Sequence, residues 1–254
     1  MTDDARWQGY APMARHVAPA AAHLLELLGP ASGPLLDLGS GTGLALTMAA
    51  DGGHEAIGID ASLGQLTAAS AACVHAAADA RSLPFRSASF GGAISNVALI
   101  FVPEPAVAVG EVARVLRGGA RFAFSAWRAD GWPDACRRVL ADALGRPHRS
   151  FPTELGDRDT AASLLTDAGF TGIKHHNGTV RWTFRDLDDA VDTLTNAAGG
   201  LRLLRSELSG PAWAEAKPLI AEQISRRAGA IDHHLVLDDP YLITTGLAPI
   251  AISR

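Results

Sequence analysis

Cysteine is nearly missing from this chain: Cys73 and Cys136 are the only two. Two thiols cannot build a disulfide framework, and they are too few for a zinc-ligand set. A reducing cytoplasm is therefore the expected setting. Lysine is scarce, and the 22 basic residues are scattered against 27 acids, for a formal net charge of −5. Neither a basic patch nor a basic tail is available for phosphate, which argues against nucleic acid as a partner. No apolar run reaches the roughly 18 residues of a membrane span, so no membrane partner is expected. The opening Met1-Thr2-Asp3-Asp4 is acidic, unlike a signal peptide. What is present is an ordinary globular balance, 48% apolar and 19% charged over 254 residues, enough for one large domain with a real core.

One stretch organises the rest. Leu35-Leu36-Asp37-Leu38 reads as an apolar strand carrying a single acid, and Gly39-Ser40-Gly41-Thr42-Gly43 follows at once. An acid inside a buried parallel strand is costly unless something pairs with it. The glycines permit a sharp turn and a close approach of backbone to ligand. From Leu44 to Ala50 the chain reads as a helix, whose first N–H groups face that ligand.

Around this stretch strands and helices alternate. A helix is expected from Pro12 to Leu28, ended by Gly29-Pro30. Strands follow at Ala56–Ile59, weakly at Cys73–Ala77, around Ala93–Ser95 and at Arg121–Trp127. A helix beginning near Pro103 and Pro105 is expected to stop at Gly118-Gly119. Such alternation predicts a mostly parallel sheet covered on both faces. Beyond Trp127 the pattern predicts helices around Cys136–Leu144 and Ala161–Ala168, and a strand at Ile173–Phe184. Helical faces then run from Leu187 to Leu208, interrupted at Gly199-Gly200, and from Trp213 to Ile224. A final β-like run covers Tyr241–Ile252.

Three acids fall at or near strand ends: Asp37, Asp60 and Asp79. Open α/β sheets bind ligands beyond the carboxyl ends of their strands, so the three converge on one crevice. Asp60 stands about 20 residues past the glycine turn, where a carboxylate accepts from ribose hydroxyls. Asp37 can orient water or a cofactor ammonium. The nicotinamide-type GxGxxG pattern fails, because Leu44 takes the place of its third glycine.

These residues resemble the first motif of the class I S-adenosylmethionine-dependent methyltransferases. Phe90–Asn96 and Leu116-Arg117-Gly118-Gly119-Ala120 resemble that family's fourth strand and the turn before its fifth. The likeness covers about residues 33–127, then 157–184 loosely, and is nearest to the small-molecule enzymes related to ubiquinone and menaquinone biosynthesis. It implies a doubly wound, Rossmann-like, mostly parallel seven-stranded sheet with an antiparallel last strand. It also implies an N-terminal helical arm over residues 1–32, a core over 33–184, a helical substrate lid over 185–238 and a final core strand over 239–254. By the same resemblance Asp79 accepts from the adenine amino group and the Ala80 N–H meets a ring nitrogen. Gly39, Ser40, Gly41, Gly43, Ala61, Gln65 and Asn96 complete the cofactor site, with Tyr10 and Arg15 reaching it from the arm. The cofactor implied is S-adenosyl-L-methionine, with no metal. Gln65 departs from the family pattern, since a Met or Leu often packs on adenine there.

Methyl transfer is an in-line displacement, in which alignment and desolvation can suffice without a base. No secure catalytic residue is therefore assigned. Val97, Leu99, Ile100 and Phe101 predict an apolar mouth, hence a small, largely apolar acceptor, consistent with specialised metabolism. The Asn/Asp-Pro-Pro-Tyr motif of nucleobase amine methylation is absent. His175-His176 are expected on opposite faces of a strand. His233-His234 stand before the last strand, where they can line the crevice or cap the lid, and packing is the expected fate of His16. Trp127, Trp132 and Trp182 read as core ahead of a substrate platform. The alternatives are a cofactor-binding enzyme of other chemistry, cyclisation or decarboxylation, or a regulatory subunit without turnover. A nicotinamide dehydrogenase ranks last. Oligomeric state is not assigned.

Overall fold

A computed structural model describes residues 11–69, 74–129, 131–147 and 154–250. Helical turns at Ala11–Ala14 and Arg15–Val17 lead into α1 (Ala18–Leu28), which buries Ala20, Ala21, Leu24 and Leu28. Then come β1 (Leu35–Leu38), α2 (Leu44–Asp51), β2 (Ala56–Asp60), α3 (Leu63–Thr67) and β3 (Val74–Ala77). Next are β4 (Phe90–Asn96), α4 (Pro105–Val115), β5 (Leu116–Trp127), α5 (Trp132–Ala143) and α6 (Arg158–Asp167). The last elements are β6 (Thr171–Phe184), α7 (Leu187–Ala197), α8 (Gly199–Glu207), α9 (Gly210–Ser225), β7 (Gly229–Ile231) and β8 (His234–Leu247).

Local chemistry starts several of the helices. Asp157, Asp186 and Ser209 each accept the N–H of the third residue of the helix that follows, which satisfies one otherwise orphaned donor. Pro105 opens α4, where a missing N–H costs nothing. The predicted break at Gly199-Gly200 is the seam between α7 and α8.

The sheet runs β3-β2-β1-β4-β5-β8-β6, with β7 paired to β8 off this path. Strands β1 to β5 pair in parallel. Strand β8 is antiparallel to both β5 and β6, so it alone on the path is reversed. The expected seven-stranded sheet is this path, and β7 adds an eighth strand as one arm of a hairpin. Alternation along β1 sends Leu35 into the core layer beneath α1 and Leu36 and Leu38 into the layer beneath α4 and α6. Asp37 shares the face of Leu35. The chain turns from β1 towards β2 on one side and β4 on the other, and this switch point opens a crevice above Asp37.

Several boundaries differ from those expected. Strand β5 begins at Leu116, and Gly118-Gly119 lies inside it rather than ending α4. Phe90 pairs with Leu116 but Gly92 with Arg121, so the glycines form an irregularity in the ladder rather than a helix stop. The final strand begins at His234, not residue 239, because β6 gives it a long partner. Beyond the Trp127–Tyr241 pair, β8 leaves β5 and continues with β6 as far as the Phe184–Leu235 pair, joined by β7 on its other edge at Val236 and Leu235. That stretch is a ribbon overhanging the carboxyl edge of the sheet, two-stranded at first and three-stranded where β7 joins it. Its Val180, Trp182, Phe184 and Leu237 share a core layer with buried residues of α5, α7 and α9. The strand ends at Leu247, short of the expected Ile252, and residues 251–254 lie outside the described residues.

Candidate active site

The loop between β1 and α2 is folded back onto β2. The N–H groups of Gly39 and Ser40 both donate to the Ile59 carbonyl, at 2.8 and 2.9 Å. Gly39, Gly41 and Gly43 all have positive φ, at 76°, 54° and 84°. At Gly39 there is no room for a side chain, since a Cβ would collide with the Cβ of Ala98. The loop therefore presents bare backbone at the switch point.

Asp60 holds this loop. Its Oδ2 accepts the Gly41 N–H at 2.8 Å and its Oδ1 accepts the Ser62 N–H at 2.8 Å. Asp37 lies below, only 2% exposed, and neither of its carboxylate oxygens has a hydrogen-bond partner among the described residues. Burial, with the Asp60 charge second, pushes its pKa from the usual 3.8 up to about 7. The Ser40 hydroxyl beside it is also buried without a partner.

A cavity of about 250 Å³ opens above these groups. Its walls include Gly39, Gly41, Asp60, Ala61, Gln65, Asp79, Ala80 and Asn96, so the structure gathers these expected residues in one place. Asp37, Ser40 and Gly43 are not among its lining residues, although each is a chain neighbour or near neighbour of one that is. Gln65 is buried, and its N–H donates to Ser62 Oγ in the cap of α3. Asn96 is fixed on both sides: its Oδ1 accepts from Ser125 Oγ at 2.9 Å and its Nδ2 donates to the Val17 carbonyl at 3.3 Å. Arg15 is exposed on its helical turn and is not among the cavity's lining residues, and Tyr10 lies outside the described residues.

Asp79 differs most from expectation. Its carboxylate is taken up by Arg81, which donates from Nη2 to Oδ2 at 2.7 Å, from Nε to Oδ1 at 3.1 Å and from its backbone N–H to Oδ1 at 2.9 Å. The Arg81 side chain, hydrogen-bonded there, holds the Asp79 carboxyl below its usual range. Arg81 also reaches Glu104 at 3.1 Å and lines the cavity itself. Nothing in the sequence marked it beyond its place two residues after Asp79.

The apolar rim is shifted by a few residues. Val97, Ala98, Phe101, Val102 and Pro103 line the cavity, whereas Leu99 and Ile100 turn into the core beneath α4. The short helical turn at Leu99–Phe101 explains this, because it rotates successive side chains away from one another.

The histidines fall elsewhere. His175 Nδ1 lies 3.1 Å from Thr244 Oγ1, and the His176 ring meets His23 edge-on. His233 and His234 sit at the tip of the β7–β8 hairpin, away from the crevice, since the positive φ of Asp232 and His233 makes that turn. His16 stacks on Trp182 with ring centres 4.8 Å apart. Among the described residues no group of three His, Cys, Asp or Glu could hold a metal ion, and no helix is long and apolar enough to cross a membrane.

A parallel sheet with one reversed strand, a glycine loop at its switch point and a carboxylate seated under that loop define a nucleoside-cofactor α/β protein of the methyltransferase type. Known proteins agree. A methyltransferase-domain family model matches residues 36–124, the span of the loop, the cavity and β4–β5. An uncharacterised protein of Mycobacterium tuberculosis is 30% identical over 197 residues, covering 72% of this chain and 70% of that protein. The demethylmenaquinone methyltransferase of Paenarthrobacter aurescens is 29% identical over 163 residues, covering 56% of this chain and 64% of the enzyme. Among solved structures, Haemonchus contortus phosphoethanolamine N-methyltransferase 2, in complex with S-adenosyl-L-methionine, aligns with a TM-score of 0.58 at 16% identity. That alignment covers 91% of this chain and 52% of that one. The chain belongs to the class I S-adenosylmethionine-dependent methyltransferases.

Proposed function

We propose that the protein methylates a small, largely apolar metabolite. The observation that carries this is the cavity itself, where a polar cofactor end and an apolar rim meet. The donor set fits the cofactor. Asp37 offers a buried carboxylate with open lone pairs for the amino-acid ammonium, and the Asp60 carboxylate, an acceptor on the cavity wall, suits ribose hydroxyls. Ala80 N–H and the Asp79 carboxylate border the adenine end, and Gly39 and Gly41 let the backbone approach closely. S-adenosylmethionine supplies an electrophilic methyl group.

Transfer then depends on alignment and on exclusion of water, which Val97, Phe101, Val102 and Pro103 favour at the rim. The overhanging β6–β8 ribbon and α7–α9 form the lid over the acceptor. The demethylmenaquinone relative, an enzyme named for a quinone-type acceptor, supports an apolar substrate.

The test is formation of S-adenosylhomocysteine when purified protein and S-adenosylmethionine are offered candidate acceptors, with calorimetry of S-adenosylhomocysteine alongside. Turnover with an apolar acceptor supports the reading. Tight binding with no turnover on any acceptor points instead to another cofactor chemistry or to a regulatory subunit. Binding of NAD in place of S-adenosylhomocysteine sinks the assignment.

A further inference from the structure

At the edge of the sheet opposite the cofactor crevice, four basic side chains gather around two adjoining cavities. Arg117 and Arg121 line a cavity of about 320 Å³ with Leu28, Ser32 and Gly91. Arg121, Lys174 and His176 line a second, of about 270 Å³, with Leu27. The two share Arg121 and Leu247, so they form one groove. Arg121 pairs with Gly92 near the start of β4, whereas Asn96, on the cofactor cavity wall, ends that strand.

The ladders explain the grouping. Arg121 pairs with Leu247, Lys174 with Thr245 and His176 with Ile243, and those three partners alternate along β8. The basic side chains of β5 and β6 therefore leave the sheet on one face, the face that α1 covers.

The anomaly is the charge. No acid lines either cavity, in a chain with 27 acids and 22 basic residues. Elsewhere Arg81, Arg114, Arg181, Arg185 and Lys217 each pair with a carboxylate at 2.7 to 3.0 Å. Among the described residues the four side chains of the groove have no such partner. Arg117 Nη1 donates to the Ser32 carbonyl, and Arg121 Nη1 to the carbonyls of Leu27 at 2.7 Å and Leu28 at 3.0 Å. Those bonds fasten the end of α1 and use one nitrogen of each guanidinium. Capping of α1 accounts for Arg121. It does not account for Lys174 or His176, which bond no carbonyl there. The charges that reach His176 have one sign: its pKa is lowered by burial first, then by His23, Lys174 and Arg158. Cations gathered without an acid repel one another until an anion enters.

We propose that this groove is a binding site for a diphosphate group. Guanidinium forks match phosphate oxygens, and two arginines, a lysine and a histidine exceed what one carboxylate would neutralise. Spread over two adjoining cavities, they suit two linked phosphates. The site lies apart from the cofactor crevice and does not depend on the methyltransferase reading.

The experiment is calorimetry on the full chain with inorganic phosphate, pyrophosphate and ADP, at an ionic strength held constant with sodium chloride. ADP is titrated with S-adenosylhomocysteine in excess, which keeps nucleosides out of the cofactor cavity. Phosphate and pyrophosphate are titrated with and without it, so their result stands whether or not the cofactor reading does. Pyrophosphate is expected to bind wild type about tenfold more tightly than phosphate. Lys174→Gln and Arg117→Gln should each weaken it about three- to fivefold, as for a solvent-open ion pair, and Lys217→Gln in α9 by less than about twofold. Lys174 makes no hydrogen bond to the described residues, so its variant carries the comparison should Arg117→Gln fail to fold. ADP bound more tightly than pyrophosphate, with the same loss in the variants, assigns the diphosphate to a nucleotide; pyrophosphate bound as tightly or more so assigns it to the free anion. Absence of pyrophosphate binding to wild type at millimolar concentration overturns the proposal. So do equal affinities for phosphate and pyrophosphate, unchanged affinity in Lys174→Gln, or a loss at Lys217→Gln as large as at Lys174→Gln.

Discussion

Asp37 and Asp60 lie on one face of adjacent parallel strands, two residues apart in register. Asp37 pairs with Gly58 in the β1–β2 ladder, and Asp60 ends β2 two residues further on. The two carboxylates share one crevice but have different surroundings. Asp60 accepts two backbone N–H groups, whereas Asp37 has no donor and feels the Asp60 charge on top of complete burial. Asp37 is thereby set as a group that a bound cation must ionise.

This difference has a pH signature. The folded pKa of Asp37 is raised to about 7 from 3.8, so the unfolded chain releases this proton first. The stability it lends is present below about pH 4 and is lost as pH rises to about 7, a change of roughly 4 kcal/mol. Asp37→Asn removes that slope, so relative to wild type it should gain stability between pH 4 and pH 8 in urea titrations. Binding should run the opposite way. S-adenosylhomocysteine brings an ammonium that favours the ionised form, so its affinity for wild type should rise towards tenfold per unit between about pH 5 and about pH 7, then level off. Calorimetry in buffers of different ionisation enthalpy reads the released proton directly. A flat affinity profile for wild type would remove Asp37 from the cofactor site.

Asp60 is a structural and a binding residue at once, so its removal should show in two readouts. Asp60→Ala strips the acceptor from the Gly41 and Ser62 N–H groups and any ribose contact with it. S-adenosylhomocysteine binding should weaken by about 1–3 kcal/mol, and the melting temperature of the ligand-free protein should fall as well. If the melting temperature falls while affinity is kept, Asp60 supports the loop and does not touch the ligand.

Much of this site was legible because its signals are local. An acid in a strand, a glycine turn and a helix start within a dozen residues place Asp37 and Gly39–Gly43, and the end of the next strand places Asp60, without any long-range information. The Gly199-Gly200 seam was legible for the same reason, since glycine disfavours a helix interior wherever it occurs. Gly118-Gly119 carries the same local signal but was outweighed by pairing of β5 with β4. The start of β8 depends on β6, a strand far away in sequence, so local alternation could not reveal the overhang. Arg81 was hidden because nothing in a single sequence says which basic residue will turn back onto a nearby acid.

Gly39 is a place where two separate costs can be told apart. Its φ of 76° disfavours any side chain, and a Cβ there would strike Ala98. Gly39→Ala should destabilise the fold by about 1–3 kcal/mol and weaken cofactor binding, because the loop must shift. Adding Ala98→Gly removes the collision and leaves the backbone cost, so the double variant should recover part of the stability. Full additivity of the two substitutions in denaturant titrations would mean that the contact does not exist.

The Asp79–Arg81–Glu104 chain makes the last case, because it ties the loop after β3 to the loop after β4 across the mouth of the cavity. Both ion pairs are largely solvated, so their loss should barely change global stability, as is usual for exposed pairs. The effect belongs at the adenine end. Arg81→Ala frees the Asp79 carboxylate and lets its pKa return upward, since the hydrogen bonds from Arg81 hold it down. With Asp79 then free to accept from the adenine amino group, S-adenosylhomocysteine affinity should stay within about threefold of wild type, and Asp79→Ala should lose more, about five- to tenfold. The reverse order, a large loss at Arg81 and a small one at Asp79, would make the guanidinium the adenine contact and Asp79 its anchor. Comparing inosine-based with adenosine-based S-nucleosylhomocysteine by calorimetry separates the two, because only the adenine form carries the amino group that an Asp79 carboxylate could accept.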